Sequence, residues 1–237
     1  MRRYTYDAKN YPLSEIALGS IQKHYPDVQD LSLLHEHVPA KKIGELAKII
    51  GKDLADTNFY EIFDKLLKDY VSLGEILVQR FGNIRINIPN QDKDGTVLPF
   101  HQGQWVGNGL GLRTVWLPFT DAYDSNSLQI VNLMDSREIT NACKEWDYPR
   151  LQEECQKSCE PVNIKKGQFI LFTQEHIHGA APNRTGKTRM SVDVRLLLKD
   201  GQPHRKWPGA YFRKLGDTDI HSRKVEIKHN DNVVMYA

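Results

Sequence analysis

Residues 167–198 read GQFILFTQEHIHGAAPNRTGKTRMSVDVRLLL. The two ends are short runs rich in aromatic and β-branched residues, and the middle gathers Gly, Pro, Asn and Thr. Strand, turn-rich connection, strand is the pattern those residue types predict. Working outward, IRINIP (84–89), RTVWLPF (113–119) and SLQIVN (127–132) have the same character and the same period of two. Upstream the period is helical. AKKIGELAKIIGKDL (40–54) places Ile43, Leu46, Ile49 and Ile50 on one face, and NFYEIFDKLLKDYVSLGEILVQRF (58–81) continues the pattern, with Asp56 or Thr57 as its cap and Gly82 as its stop. Between the third and fourth strand runs lies a charged insertion at about 136–160, SREITNACKEWDYPRLQEECQKSCE, predicted to be helical. A block of helices followed by strands at such intervals predicts an α+β chain with an antiparallel sandwich or barrel.

The predicted organisation is one domain over residues 1–237. It divides into a helical N-terminal layer (1–80), a β-core (81–200) and a C-terminal extension (201–237) whose KVEIKHNDNVVMYA adds a strand. A chain of 237 residues and 27.3 kDa has room for a sizeable core. A net charge of +2 is too small to argue for nucleic acid or an anionic membrane. The opening MRRYTYDAKNYP has no apolar run behind its arginines, and no apolar stretch is long enough to span a bilayer. Cys143, Cys155 and Cys159 are odd in number and share one polar segment, which fits a reducing, cytoplasmic setting better than a disulfide framework. Cys155 and Cys159 lack a second ligand pair for structural zinc.

The chemistry-bearing residues fall on the β-core. LPFHQGQWVGNG (98–109) carries His101; read as extended chain, it turns His101 and Gly103 to one side and Gln102 and Gln104 to the other. TQEHIHGAAPN (173–183) carries His176 and His178 on one face, and Arg189 and Ser191 form an R-x-S on a strand that Arg195 continues. Singly each is weak, since a lone histidine is more often a satisfied core or surface residue. Their order along the chain is the stronger signal.

That order resembles the Fe(II)/2-oxoglutarate-dependent oxygenases of the phytanoyl-CoA dioxygenase-like superfamily, and most of all a branch found in carbohydrate-biosynthesis clusters. The resemblance covers roughly residues 78–197. It implies a double-stranded β-helix (jelly roll, cupin-like) core, and a soluble enzyme taking O₂ and a small polar, sugar-derived metabolite, with no nucleic-acid or membrane partner. Residue by residue, it makes His101 and His178 the iron ligands, with His176 the rival for the second. Arg189 would bind the far carboxylate of 2-oxoglutarate, with Ser191 beside it and Trp116 against the cosubstrate. The residue types suit these tasks: two neutral imidazoles leave coordination positions open, and an arginine fork matches a carboxylate. Arg85 and Asn87 share a strand face that contacts substrate or is plainly solvated.

The pattern departs from the family's His-x-Asp at one position, where this sequence has His101-Gln102-Gly103. In related iron halogenases a small residue there leaves chloride or bromide room on the metal, so Gly103 implies a halide or water position and halogenation. The alternatives are a hydroxylase whose third ligand is Gln104, Glu175, Asp121, Asp124 or water, a metabolite-binding module that has lost catalysis, and an aspartate deliberately replaced. Gly107 and Gly109 are expected to serve turns rather than phosphate, and the basic RKWPGAYFRK (205–214) either meets an anionic substrate or is solvated.

Overall fold

The computed structural model describes residues 1–90, 97–202, 210–217, 219–221, 225–229 and 232–236. The elements in order are β1 (Arg2–Thr5), α1 (Leu13–Gln22), α2 (Leu34–His37), α3 (Ile43–Asp53), α4 (Phe59–Tyr70), β2 (Ile76–Gln79), β3 (Asn83–Asn87), β4 (Leu112–Pro118), β5 (Leu128–Val131), α5 (Leu133–Ala142), α6 (Tyr148–Ser158), β6 (Cys159–Pro161), β7 (Gln168–Thr173), β8 (His178–Ala180), β9 (Arg189–Leu198), β10 (Phe212–Lys214), β11 (Val225–His229) and β12 (Asn232–Tyr236).

Seven antiparallel strands form a major sheet in the order β1-β7-β4-β9-β2-β10, with β3 also paired to β9. A minor sheet runs β6-β5-β8, and β11 and β12 make a separate hairpin. Strand alternation sorts the side chains of the major sheet onto two faces. Val115 and Leu117 of β4, Phe169 and Leu171 of β7, and Met190, Val192, Val194 and Leu196 of β9 pack with α1, α3 and α4 in the largest apolar cluster. Their strand neighbours Trp116, Ile170 and Phe172 pack instead with Leu128 and Ile130 of the minor sheet. The two sheets therefore face each other across a second core, as in a jelly roll, and the α+β expectation holds. Burying a large apolar side chain contributes roughly 1.5–3 kcal/mol, so the outer face of the major sheet binds the helical layer strongly.

The helix expected over 58–81 is shorter than its sequence period suggests. It ends at Tyr70, and EILVQR becomes β2, pairing Ile76–Val78 with Leu196–Leu198 of β9. Gly74 breaks the run with φ +68, and Ile76 and Val78 then alternate into the core as strand residues do. Thr57 contributes to the helix start, its Oγ1 accepting from Phe59 N. Gly82 is a packing glycine rather than a helix stop: a Cβ there would lie 2.4 Å from Val192 Cγ2. The insertion is helical as expected, forming α5 and α6, with Asn132 and Asp147 capping their N-termini. β10 extends the major sheet beyond the expected core. A fully buried Arg213 in it binds Asp64 of α4 through two bonds of 2.5 and 2.8 Å.

Candidate active site

His178 opens β8, and His101 is bridged to it by a reciprocal pair of backbone hydrogen bonds, each 3.0 Å. The bridge brings their rings to a centroid distance of 4.4 Å, tilted by 50°. Each ring is oriented by its own chain. Nδ1 of His101 lies 3.0 Å from Pro99 O, and Nδ1 of His178 lies 3.0 Å from His176 O. A carbonyl oxygen can only accept, so Nδ1 carries the hydrogen in both rings and Nε2 keeps its lone pair. Burial lowers the pKa of His101 against the opposing bond to Pro99 O; the cations Arg195 and Arg85 lower it further and Asp193 raises it. Burial first and His101 second push His178 down to about 3. Both imidazoles are thus neutral, with matched tautomers and backbone-fixed rings, which is how metal-binding histidines are prepared.

Opposite them stands the inner face of the major sheet. Strand alternation presents Arg189, Ser191, Asp193 and Arg195 of β9 together, with Thr114 and Trp116 beside them on β4. Nε of Arg189 donates to Asn126 O at 2.9 Å and Nη1 to Ser191 Oγ at 3.0 Å, and Trp116 Nε1 donates to the same hydroxyl at 3.1 Å. The guanidinium lies 5.9 Å from the Trp116 ring centroid. Among the described residues no carboxylate pairs with Arg189, although it is only 4% exposed. Burial, then Arg85, pushes its pKa down to about 10, the mark of a cation without a counter-ion.

Asp193 has the opposite environment. Burial raises its carboxyl, but Arg195 and Arg85 outweigh burial and hold it below the ordinary carboxylate value. Arg85 Nε lies 3.2 Å from it, Asn83 Nδ2 donates at 3.0 Å, and Arg195 is also bonded to it. These groups enclose a cavity of about 160 Å³ between the sheets. His101, His178, Arg189, Arg195, Trp116, Arg85 and Asn87 line it, so seven of the residues singled out in the sequence come together. Ser191 is buried behind Arg189 and Trp116.

Other expectations are corrected. His101 lies in a β-bridge, but from Gly103 the chain is not extended. Gly103 is in the right-handed helical region (φ −57, ψ −34), and its carbonyl accepts from Val106 N and Asn108 N to close a turn. Gln104 begins that turn's short 3-10 helix and does not line the cavity. His176 is also outside it, its Nδ1 2.9 Å from Thr173 Oγ1. Glu175 pairs with Arg137, Asp121 accepts from Lys166 N, and Asp124 adopts φ +45 in a separate turn. None of the three lines the cavity. Gly107 does serve a turn, with φ +85. Of the basic tail, residues 205–209 lie outside the described residues; Arg213 is buried on Asp64 rather than offered to a ligand.

The space beside Gly103 is filled as well. A Cβ at that position would lie 1.8 Å from Gln174 Oε1 and 2.8 Å from its Cδ. Among the described residues no three His, Cys, Asp or Glu side chains cluster closely enough to hold a metal ion. Asp193, Thr114, Phe172 and Gln174 were missed from the sequence. The alternation R-x-S-x-D-x-R along β9 could have found Asp193, while nothing local signals Gln174.

The sequence pattern of the phytanoyl-CoA dioxygenase (PhyH) family matches residues 37–191. The chain belongs to that oxygenase family. No curated protein matches the sequence. Among solved structures, it is similar to the non-haem monooxygenase ThoJ in its nickel complex, at 17% identity over 84% of this chain and 74% of that one, TM-score 0.44. It is also similar to AviO1 from Streptomyces viridochromogenes Tue57, at 11% identity over 84% and 89%, TM-score 0.48. A third is SnoK, an alpha-ketoglutarate-dependent non-haem carbocyclase from nogalamycin biosynthesis, at 17% identity over 61% of each chain, TM-score 0.44. The family match carries the assignment, and these likenesses are too distant to refine it.

Proposed function

We propose that the chain is an Fe(II)- and 2-oxoglutarate-dependent oxygenase that acts on a C–H bond of a small polar metabolite. His101 and His178 would hold the iron through Nε2, and Arg189 would take the far carboxylate of 2-oxoglutarate. The observation that carries this is the pairing of two buried neutral histidines with a buried arginine that has no counter-ion among the described residues, all lining one cavity. Iron, when bound, supplies activation of O₂ coupled to decarboxylation of the keto acid. The chain's own residues bind and orient. Backbone carbonyls fix the imidazoles, Ser191 and Asn126 hold the guanidinium in plane, and Trp116 and Phe172 wall the cavity against water. Arg85, Asn87, Asp193 and Arg195 form a polar wall suited to hydroxyl groups, which supports a polar, sugar-like substrate.

With no third His, Cys, Asp or Glu side chain among the described residues close enough to join the two histidines in holding a metal ion, water or a halide would complete the metal's ligands. Hydroxylation is the outcome the geometry favours, because Gln174 fills the space beside Gly103 that a halide would use. Halogenation keeps one observation on its side, the two-histidine set itself. Anaerobic addition of Fe(II) and 2-oxoglutarate should give a visible charge-transfer band. A band that does not move with chloride or bromide supports hydroxylation, and one that shifts supports halogenation. No band in folded, iron-loaded protein would reject the oxygenase reading in favour of a binding module.

A further inference from the structure

Gly103 has a backbone that any residue can adopt, since its φ of −57 lies far from the left-handed region that favours glycine. Glycine is therefore required there by space, and the Gln174 amide takes most of that space, with Asn108 Nδ2 at 3.2 Å the next group. Oε1 of Gln174 would stand 1.8 Å from a Cβ at 103, closer than any real contact.

The end of a glutamine can often swing aside, but this one is held. Its Nε2 donates to Thr114 Oγ1 at 2.8 Å and its Oε1 accepts from Asn108 Nδ2 at 3.0 Å. Gln174 is 1% exposed, and Thr114 and Asn108 are buried with it. The two loops are also tied together, because Gln102 Nε2 donates to Glu175 O at 2.6 Å and to Thr140 Oγ1 at 2.7 Å. Gly103 lies two residues after one histidine of the bridged pair, and Gln174 four residues before the other. The amide is thus bracketed by the same two chain segments that deliver both imidazoles.

We infer that Gln174 determines the ligand set of the site: its amide occupies the place of a side chain at 103, and the two-histidine arrangement is a property of the Gly103–Gln174 pair rather than of Gly103 alone. The inference rests on the iron reading above. Restoring a carboxylate at 103 then fails while Gln174 is present, because the new side chain meets a buried, doubly bonded amide. It succeeds once Gln174 is shortened.

The test is a double-mutant cycle of wild type, G103D, Q174A and G103D/Q174A, read as Co(II) affinity by visible absorption without turnover, with H101A as reference. G103D alone is expected to change the Kd by less than about threefold, whereas the same substitution in the Q174A background tightens it by about tenfold or more. A second cycle replaces G103D by G103A and reads Tm without metal. The added methyl is expected to lower Tm in the wild type and to cost little in Q174A. Additive effects in both cycles would overturn the inference, as would a G103D variant that gains as much affinity as the double. Should wild type bind Co(II) no better than H101A, the iron reading itself fails and this inference falls with it.

Discussion

Replacing Arg189 by methionine separates a ligand-binding arginine from a structural one, because the two roles predict opposite outcomes in the absence of ligand. The guanidinium is buried with no counter-ion among the described residues, so the apo fold bears the cost of desolvating a charge. Methionine removes that cost together with two hydrogen bonds, to Asn126 O and Ser191 Oγ, each worth about 0.5–1.5 kcal/mol, or up to about 3 for a charged donor. The terms oppose each other, and the apo stability in urea is expected to change by no more than about 1 kcal/mol. Affinity for 2-oxoglutarate should change far more. Removing one partner of a buried charged pair costs about 2–5 kcal/mol, or roughly 30- to 4000-fold in Kd. In a melting assay, ligand at about 100 times the wild-type Kd stabilises the wild type by about 2.7 kcal/mol. The same concentration should give the variant less than about 0.9 kcal/mol. A variant that loses more than about 3 kcal/mol without ligand, yet binds 2-oxoglutarate within about threefold of wild type, would refute the reasoning and make Arg189 a structural residue.

Three further outcomes are expected. His178→Ala should abolish Fe(II) binding, measured anaerobically, while His176→Ala should leave it within about tenfold, because His176 lies outside the cavity on Thr173. Asp64→Ala should cost about 3–5 kcal/mol in denaturant unfolding by leaving Arg213 buried and uncompensated, and an Asp64→Leu, Arg213→Met pair should recover much of it; a cost below about 1 kcal/mol would show that water reaches Arg213. Burial and the neighbouring thiols Cys143 and Cys159 push the Cys155 thiol up to about 11, so at pH 8 a thiol reagent should modify Cys155 only after unfolding, whereas the partly exposed Cys143 reacts in the folded protein.

The β-core was legible because strand alternation is a local property. The runs around Arg85, Trp116, Phe169 and Arg189 have the right period by themselves, and each forms a strand. The same rule set Arg189, Ser191 and Arg195 along one strand, and it would have added Asp193. The segment 76–79 was misread because ILVQ after a long amphipathic helix is compatible with either period. Its pairing with β9, some 120 residues away, made it a strand, since only there can both its backbone and its apolar side chains be satisfied.

For the site, sequence order was enough to nominate His101, His178 and Arg189, and alternation to set Arg85 and Asn87 on one face. Alternation alone does not separate His176 from His178, which share a face in any extended reading, and it was the family motif that favoured His178. In the structure it is His178 that the reciprocal backbone bridge sets against His101. The sequence could not say what stands beside Gly103. An absent side chain shows in the sequence as a glycine, but the group that fills its space is 71 positions further on, brought there by the packing of two loops. Residue types and their spacing along one strand are local and can be read from the chain. The volume around a residue is shared with whatever segments the fold brings against it, and only the tertiary structure decides it.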